Sequence, residues 1–563
     1  MTKIAIDYFD KIYQAQASDK TTVIFAKFKN NRDEFIELCI PICDFKSVKN
    51  LKKILLTSGF DPFYNNKYTN VFQNEDDFCD KLSSYRFDKT YLLTPNSGWY
   101  CDKNNEHKYC YVLPNKTYGY KDIGIIYYNN DNTILEEFEK KGTFEEFYQT
   151  LDLCRYSKPL ILTVGVALSS FLIKPLKLEN YGIHLFGTSS IGKSTIAKVA
   201  SSIMGAPNTY ISWRMTDSGV EDTCIAHSDR LIVFDEAKLI DKDKKNIANR
   251  ISDLSYFICA GVRKKRSQIY AMENNLNEGN WHFAFISTGE FSIRDNASSV
   301  SHVQDEGEKL RFIDVPAQMS NNYGIFSKIP QNYKSSVNLV EDILERLHKS
   351  HGHLGIRYIK NITKELNNNY VNFTDEFNKY VNFFCKKAEM PDISPLKHRF
   401  TKRFGIAFAS LILANKWKLI PWSKKLIFQS VRYMYELSLN YIKSDREILE
   451  DGLKILRLNL DSSNKNVVNL AEYKSSDELK LALNSNNYIF YYQKDSKKSS
   501  GVWLMTQKTF NSLFVTDKQF TLVRTELNDI IPKTKDGYAL HSLGHKVCRR
   551  MVALREKDLR KLL

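Results

Sequence analysis

The sequence predicts an α/β P-loop nucleoside-triphosphatase core with an α+β N-terminal domain, a helical lid and a small C-terminal winged-helix-like domain. Three observations favour this class. A phosphate-binding motif occupies residues 187–195, an apolar run ends in two acidic residues about 40 positions later, and helical spacing prevails after residue 330. The predicted domains are residues 1–145, 146–328, 329–447 and 448–563.

Composition limits the class of protein and its partners. The 563 residues exceed the size of one hydrophobic core, and 43% hydrophobic with 26% charged residues is typical of globular proteins. A net charge of +16 favours nucleic acid or another polyanion as partner, with lysine-rich solubility as the alternative.

Cysteines and apolar runs indicate the compartment. Ten cysteines without a paired framework, and a first segment without the apolar region of a signal peptide, predict a reduced, cytoplasmic chain. The most apolar run, residues 159–173, is shorter than the ~20 residues that span a bilayer, so we expect a buried helix and no membrane contact. Cys101, His107 and Cys110, with Cys79, could recruit Zn²⁺, but no C-x-x-C pair accompanies them, which favours free thiols.

The first 145 residues alternate short strands with one clear helix. Residues 21–28 and 34–42 are strand-like runs rich in β-branched and aromatic side chains. Ser47 is placed to cap a helix that Gly59 ends. Further short strands are expected at residues 91–93, 99–100 and 111–113. This pattern predicts a small α+β domain without a catalytic motif.

Residues 187–195, GTSSIGKST, match the phosphate-binding pattern G-x-x-x-x-G-K-[ST]. An apolar strand-like run precedes them and a helical pattern follows, which is the context that this motif requires. Backbone N–H groups of such a loop converge on a phosphate, and the helix directs its positive end to the same place. We expect the loop to bind ATP through Gly187, Thr188, Ser189, Ser190, Ile191, Gly192, Lys193, Ser194 and Thr195. Lys193 would neutralise the β- and γ-phosphates, and the Ser194 hydroxyl would help to hold Mg²⁺.

A second apolar run, residues 231–234, ends in Asp235 and Glu236. It is typical of a buried parallel strand, whose carboxyl end is where ligands bind in open α/β sheets. We expect Asp235 to hold Mg²⁺ through water. Glu236 is expected to orient and polarise the water that attacks the γ-phosphate.

Two later segments offer further catalytic candidates. Residues 283–286 predict a third strand, after which Ser287 or Thr288 could contact the γ-phosphate or the attacking water; the alternative is a loop hydroxyl with local partners. Arg311 stands just before another apolar segment. P-loop ATPases that form rings supply a cation from the neighbouring subunit, and Arg311 is the candidate, an ordinary surface arginine being the alternative.

A basic turn lies between the acidic strand and the third strand. Its cations are Arg263, Lys264, Lys265 and Arg266, which follow Gly261. A turn inserted at this point would project away from the nucleotide and could grip the phosphates of a DNA strand. The alternative is a solvated charge run.

After residue 330 the chain becomes helical, with 3.6-residue apolar spacing at residues 339–347 and 400–414. Arg399 and Arg403 accompany the second helix, and Arg403 is our candidate for a lid residue that reaches the nucleotide; surface salt bridges are the alternative. Beyond residue 445 the elements are short and mixed, in the manner of a winged-helix module that binds DNA or a partner protein. They are a helix at 475–483, strands at 488–492 and 502–505, a helix at 508–513 and a basic tail at 545–563.

Together these stretches resemble a family of AAA+ ATPases carried by phages, plasmids and cassette-type mobile elements and catalogued as a domain of unknown function. Its best understood members are similar to the MCM-like replicative helicases, of the Cch type, of cassette-chromosome elements. The resemblance lies in YGIHLFGTSSIGKSTIAKVASSIMGAP, WRMTDSGVED, DRLIVFDEA, the basic turn that begins at Gly261, FAFISTGE and EKLRFIDVPA. It covers residues from about 20 to about 325, with weaker likeness around Arg403 and Phe404.

The resemblance implies an ATP-dependent DNA helicase that acts as a ring, a hexamer, on single-stranded or forked DNA, with other replication proteins of the same element as further partners. It implies Ser287 or Thr288 as the sensor, where the family most often has Asn. It also implies Arg311 as the trans-acting arginine and Lys264, Lys265 and Arg266 as pore residues. The rival hypotheses are an ATPase switch that assembles on DNA without unwinding it, such as an initiator or a defence effector, and an ATPase that remodels a protein partner.

Overall fold

The fold comes from a computed structural model and divides into two compact units, Met1–Ser438 and Leu439–Leu563. The structure describes residues 5–17, 20–60, 63, 71–102, 105–114, 116–129, 136–241, 246–264, 279–295, 306–319, 323–388, 395–442, 445–460, 467–469, 475, 477, 489–492, 501–514, 517–529, 539–542 and 548–559. The finer division into four domains stays a prediction.

The first unit begins with two small sheets. The strands are β1 (Lys11–Gln16), β2 (Thr22–Lys29), β3 (Phe35–Pro41), β4 (Thr90–Thr94), β5 (Gly98–Asp102), β6 (Asn105–Val112), β7 (Thr117–Gly119) and β8 (Ile125–Tyr127). The helices are α1 (Ile42–Phe45), α2 (Val48–Thr57) and α3 (Glu75–Ser83). A five-stranded sheet has the order β3-β2-β1-β4-β8, and β5, β6 and β7 form a separate three-stranded sheet.

One face of the five-stranded sheet packs on α2 and α3. Phe28 and Ile40 from the strands meet Leu51 and Phe78 from the helices in one buried cluster. The Ser47 hydroxyl accepts a hydrogen bond from the backbone N–H three residues into α2 at 3.4 Å, so the predicted helix cap is confirmed. The expected strands are found, with bounds shifted by a few residues.

The three-stranded sheet is fastened to the rest of the unit through Asp229. Its carboxylate accepts a hydrogen bond from the Trp99 backbone N–H at 2.9 Å, and its backbone carbonyl accepts one from the Tyr111 hydroxyl at 3.1 Å. Gly98 has φ of +132°, and a Cβ there would lie 2.5 Å from the Asp229 carboxylate. The close approach therefore requires glycine at this position.

A five-stranded sheet with all neighbours parallel lies at the centre of the unit, in the order β10-β11-β12-β9-β13. Its strands are β9 (Tyr181–Phe186), β10 (Ile211–Ser212), β11 (Ile232–Asp235), β12 (Ala284–Gly289) and β13 (Phe312–Pro316). Its helices are α4 (Phe144–Leu153), α5 (Lys158–Ser170), α6 (Lys193–Ser201), α7 (Asp217–Ala226), α8 (Ile247–Ala260) and α9 (Glu306–Arg311). A mixed α/β fold with a parallel sheet is therefore confirmed.

The apolar run of residues 159–173 contributes α5, which is buried from its second residue to its last, as expected. No helix within the described ranges is long and apolar enough to cross a bilayer. Long helices follow the sheet: α10 (Ser336–Lys349), α11 (Leu354–Ala388), α12 (Pro395–Lys416) and α13 (Lys424–Ile442). Non-helical backbone at Asn369 divides α11 into two helices. The two predicted helices of this region correspond to α10 and α12.

The second unit contains a five-stranded sheet in the order β14-β15-β16-β18-β17. Its elements are α14 (Asp445–Asn459), β14 (Val467–Asn469), β15 (Ile489–Tyr492), β16 (Val502–Met505), α15 (Gln507–Ser512), α16 (Asp517–Glu526), β17 (Ala539–Ser542), β18 (Cys548–Arg555) and α17 (Glu556–Leu559). Part of the basic tail forms β18, and the helix expected at 475–483 lies mostly outside the described residues. The winged-helix assignment stays a prediction.

Candidate nucleotide-binding site

The loop of residues 187–192 joins the carboxyl end of β9 to the first turn of α6. Left-handed backbone at Ser190 (φ 64°) and Gly192 (φ 111°) turns the chain back toward the sheet. The Ile191 carbonyl accepts a hydrogen bond from the Ile325 N–H at 3.1 Å and anchors the outer side of the loop. The structure thus places the glycine-rich motif between a buried strand and a helix, as the sequence predicted.

Within the loop, exposure differs from residue to residue. The side chains of Thr188, Ser189, Ser190 and Ser194 are exposed, and that of Thr195 is buried. Ser194 lies in the first turn of α6, where its hydroxyl is open to a cation. Thr195 packs inward, so its side chain is unavailable to a ligand and only its backbone could contribute.

Lys193 folds back over the loop that precedes it. Its ammonium donates hydrogen bonds to the carbonyls of Gly187 and Thr188, both at 2.7 Å. Burial lowers the pKa of Lys193, while the carboxylates of Glu290, Glu236 and Asp235 oppose that shift. These negative groups surround the ammonium at the same edge of the sheet.

Asp235 and Glu236 come to this edge because β11 is parallel to its neighbours. The Thr288 hydroxyl, at the end of β12, donates a hydrogen bond to the Asp235 carboxylate and accepts one from the Glu236 N–H at 3.4 Å. Glu236 has left-handed backbone, with φ of 62°, which turns the chain sharply as it leaves the strand. The Gly187 N–H donates to the Gly289 carbonyl at 3.2 Å, which ties the phosphate loop directly to the end of β12.

The structure separates the two sensor candidates. Ser287 is fully buried, and its hydroxyl oxygen lies 3.1 Å from His184 Nδ1 and 2.9 Å from Trp213 Nε1. Successive side chains of a strand point to opposite faces, so Ser287 faces the core and Thr288 faces the acidic pair. Ser287 is therefore held by the core network in this structure, and its role as the sensor stays a prediction.

His184 completes the buried network beneath the site. Its Nε2 lies 2.9 Å from the Phe291 carbonyl, which can only accept, so Nε2 carries the proton. Nδ1 then accepts from the Ser287 hydroxyl, and that oxygen accepts from the Trp213 indole. Burial lowers the pKa of His184 to about 4, so the ring is neutral at pH 7.

Lys238, which the sequence motifs do not single out, lies just beyond the acidic pair. Its ammonium is 3.2 Å from the Glu236 carboxylate and 3.7 Å from that of Glu290. All three side chains are half exposed, so solvent weakens these ion pairs. A lysine two residues after a catalytic glutamate carries no distinct sequence signal, and only the turn at Glu236 brings the charges together.

The arginine candidates lie at the opposite edge of the sheet. Arg311 ends α9 directly before β13, whose Phe312 is level with Gly182 at the start of β9. Four further residues of β9 separate this level from the phosphate loop, about 13 Å at ~3.3 Å per residue. The Arg311 guanidinium lies 4.5 Å from the centre of the Tyr256 ring. Arg311 is therefore remote from the nucleotide loop of its own chain.

Arg403 is bound at that same edge. Its guanidinium pairs with the Glu179 carboxylate, donates to the Glu179 carbonyl at 3.3 Å and lies over the Tyr181 ring at 5.5 Å. Burial raises the pKa of Glu179, but Arg403, Arg399 and Arg311 outweigh it and the net shift is downward. This ion pair holds Arg403 at the amino-terminal end of β9, as in the salt-bridge alternative, and its role as a lid residue that reaches the nucleotide stays a prediction.

The basic turn is described only at its two ends. Val262 pairs with Asn280, and the Arg263 N–H donates to the Gly279 carbonyl at 2.8 Å, as at the base of a hairpin. Arg263 forms ion pairs with Asp222 and, at 3.5 Å, with Glu221, and only 11% of its side chain is exposed. Carboxylates of α7 therefore occupy the Arg263 guanidinium in this structure, and its role in binding DNA stays a prediction.

Of the other cations of the turn, Lys264 is exposed at the start of the turn. Lys265 and Arg266 lie outside the described residues. Their role in binding DNA stays a prediction.

Residues 10–275 match the family model described as "Domain of unknown function (DUF927)". This part of the chain is therefore similar to that family, and the match covers slightly less than half of the 563 residues. The match begins in the N-terminal sheet and includes the phosphate loop and the acidic strand, so the family resemblance expected from the sequence is confirmed. A search of curated proteins finds no match.

The fold is also similar to a solved structure titled "SCCmec type IV Cch - active helicase". The TM-score is 0.55 at 16% sequence identity, and the alignment covers 98% of this chain and 94% of that one. At this identity the comparison shows a shared fold. The alignment extends well beyond residues 10–275, which match the family model.

The four candidate zinc ligands differ in their exposure and in their contacts. Cys101 is exposed, Cys110 is buried, and the His107 ring stacks on Tyr370 at 4.5 Å between centroids. Cys79 belongs to the core between the five-stranded sheet and its helices. Among the residues that the structure describes, no three His, Cys, Asp or Glu side chains converge to hold a metal ion.

The neutral His184 network predicts a pH-dependent stability. Because the folded pKa of about 4 lies below the usual 6.5, this contribution is complete above pH 6.5 and is lost as the pH falls toward 4. We expect His184→Gln, which keeps one donor and one acceptor, to lack this part of the dependence of the free energy of unfolding on pH. The loss should amount to about 3 kcal/mol in the wild type across this interval. Urea unfolding of both proteins at several pH values measures it, and identical slopes would contradict the assignment.

Proposed function

We propose that this chain is an ATP hydrolase that drives movement along DNA, a helicase or translocase. The observation that carries the proposal is the meeting of Lys193, Asp235, Glu236 and Thr288 at the carboxyl edge of one parallel sheet. A cation, two carboxylates and a hydroxyl that orients one of them are the groups that phosphoryl transfer requires.

The residues of this edge fit a magnesium nucleotide by their chemistry. The backbone N–H groups of the loop and the Lys193 ammonium suit phosphate oxygens, and the oxygens of Ser194 and Asp235 suit Mg²⁺. When bound, MgATP would supply the phosphoanhydride bond that is broken. Lys193 already spans the loop, so its ammonium can exchange the carbonyls of Gly187 and Thr188 for phosphate oxygens with a small movement.

Each remaining group has one task in this proposal. Thr288 fixes the Asp235 carboxylate, so that its other oxygen is directed to the cation. Glu236 orients the attacking water and accepts its proton. The half-exposed ion pair with Lys238 holds the Glu236 carboxylate near the site. Because water competes for such a pair, Glu236 can leave Lys238 to bind the attacking water.

Arg311 can act only on the nucleotide of another subunit in this scheme. It lies at the amino-terminal edge of the sheet, beside Arg399, Arg403 and Glu179, whereas the nucleotide groups lie at the carboxyl edge. A ring of identical subunits would bring one edge against the other. The carboxylate of Glu179 compensates the arginines while no phosphate is near.

The nucleic acid part of the proposal rests on charge and on the shared fold. The net charge of +16 suits a polyanion, and the solved structure of similar fold is titled an active helicase. We place Lys264, Lys265 and Arg266 on a pore turn that contacts single-stranded or forked DNA. The finer proposal is a hexamer that serves replication of a mobile element, with a winged-helix-like C-terminal domain.

Thr288 and Ser287 provide a matched pair of variants. Thr288→Ala should lower ATP turnover by about 10- to 100-fold, because Asp235 loses the bond that orients it. Ser287→Ala should instead reduce the free energy of unfolding by about 1–3 kcal/mol, since the partners of a buried hydroxyl are left unpaired. Turnover and urea unfolding are measured for both. Equal losses of turnover in two stably folded variants would contradict the assignment of Thr288.

A mixing experiment tests the trans role of Arg311. Arg311→Ala and Lys193→Ala should each be inactive alone, because each lacks one half of every site. Mixed in equal amounts, they should regain up to about a quarter of wild-type turnover, since a quarter of random interfaces combine an intact loop with an intact arginine.

Arg346→Ala, which removes an exposed arginine paired with Asp342, is the control and should remain active alone. Absence of rescue at every mixing ratio would exclude a trans role. Full ATP turnover with no unwinding of forked DNA would favour the rival hypothesis of a switch that does not unwind.

A further inference from the structure

The second face of the N-terminal five-stranded sheet is open and aromatic. Alternation places the odd-numbered residues of β1 and β2 on it, and the register adds their neighbours from β3, β4 and β8. We call this set the open face; its residues are Lys11, Tyr13, Ala15, Val23, Phe25, Lys27, Lys29, Phe35, Glu37, Cys39, Tyr91, Leu93 and Ile126, with Tyr128 just beyond β8.

This face differs from the other face in what covers it. The other face carries α2 and α3 and a large apolar core. On the open face, Ala15, Phe25 and Leu93 form a small buried cluster, and in the described part of the chain the apolar residues packed on it come only from the sheet strands and from Tyr128 beside β8. The small buried cluster is therefore covered by residues of the sheet itself, several of them aromatic.

Those rings come from four strands of the sheet, β1 to β4, and from Tyr128 beside β8. Tyr13 and Tyr91 lie 4.7 Å apart between centroids, and Tyr128 meets Phe25 edge-on at 6.0 Å. Phe35, on the edge strand β3, is 54% exposed. From β3 to β4 the face is three strand spacings wide, about 14 Å, and Phe35 is offset from the level of Phe25 by four residues along the ladder, so the rings are spread widely enough for more than one base.

Lysines accompany the rings. The ammonium groups of Lys27 and Lys29 lie 5.3 Å and 5.4 Å from the centre of the Phe35 ring, and that of Lys89 lies 5.3 Å from Tyr91. Lys11 is exposed opposite Lys27 in the ladder. The carboxylate of Glu37 on this face is paired with Lys27 at 2.6 Å, so it does not reverse the local charge.

We propose that the open face of the N-terminal sheet binds single-stranded nucleic acid. Bases stack on flat aromatic side chains and the surrounding lysines contact phosphates, a combination that tolerates any sequence because every base has a π-face. Charge complementarity favours nucleic acid over a protein as the ligand of this face. An apolar protein partner would have to desolvate the ammonium groups around Phe35, whereas a phosphate backbone neutralises them. Since none of the residues of this face belongs to the nucleotide edge, its binding needs no ATP and does not depend on the motor activity proposed above.

The test measures the affinity of the full chain for a fluorescein-labelled thymidine oligonucleotide by anisotropy, without nucleotide. Phe35→Ala removes the most exposed ring and should weaken binding about fivefold or more, because one stacking contact is lost. The double variant Lys11→Ala/Lys29→Ala should flatten the salt dependence of the affinity by about 0.7 in slope per lysine. Phe383→Ala, a phenylalanine of α11 with 49% exposure, is the matched control and should bind like the wild type.

A second measurement covers the case of an unstable variant. A wild-type complex with a 5-bromodeoxyuridine oligonucleotide should crosslink within residues 11–41 on irradiation. Uridine oligonucleotides in a parallel arm show whether RNA serves as well as DNA.

Unchanged affinity and salt slope in both variants, with crosslinks confined elsewhere, would overturn the proposal. So would equal weakening by Phe35→Ala and Phe383→Ala. In either case, DNA-stimulated ATP turnover in the same proteins would leave the proposed motor function standing.

Discussion

The candidate nucleotide-binding site depends on the parallel register of β9, β11 and β12. Because the three strands run in the same direction and end within about one residue of each other, the phosphate loop, the acidic pair and Thr288 meet at one edge. The bond between the Thr288 hydroxyl and Asp235, and the bond from Gly187 to the Gly289 carbonyl, hold that edge together. Beneath it, Trp213, Ser287 and the neutral His184 join the neighbouring strands through a buried polar network whose protons are fully assigned.

The same register separates the arginines from the nucleotide groups. In a parallel sheet the residue before a strand and the residue after it lie at opposite edges, so Arg311 and the loop of one subunit cannot meet. If Arg311 acts on a nucleotide, as proposed, a second copy of the chain must supply it. The proposed assembly and the proposed chemistry are therefore one hypothesis. Within a single chain, the carboxylate of Glu179 offsets the positive charge of the nearby arginines.

Local sequence predicted the parts of the site that a few adjacent residues define. The glycine loop with Lys193 and the acidic end of β11 are such parts, since a strand, a turn and a helix start follow from neighbouring residues. The choice between Ser287 and Thr288 needed the strand's orientation, because one position changes the face. The position of Arg403 could not be predicted, because its partner Glu179 is 224 residues away along the chain. The pairing of Arg263 with acids of α7 was hidden for a similar reason, and the open face became visible only when the register aligned five separate strands.

The central claim is that nucleotide chemistry at the carboxyl edge is coupled to a nucleic acid strand. ATP turnover by the purified full chain in magnesium buffer, measured with and without single-stranded DNA and compared with a folded Lys193→Ala variant, tests it most directly. The account predicts turnover that DNA stimulates in the wild type and that is lost in the variant. Wild-type protein that hydrolyses no ATP under either condition, or a Lys193→Ala variant that hydrolyses it equally well, would contradict the account.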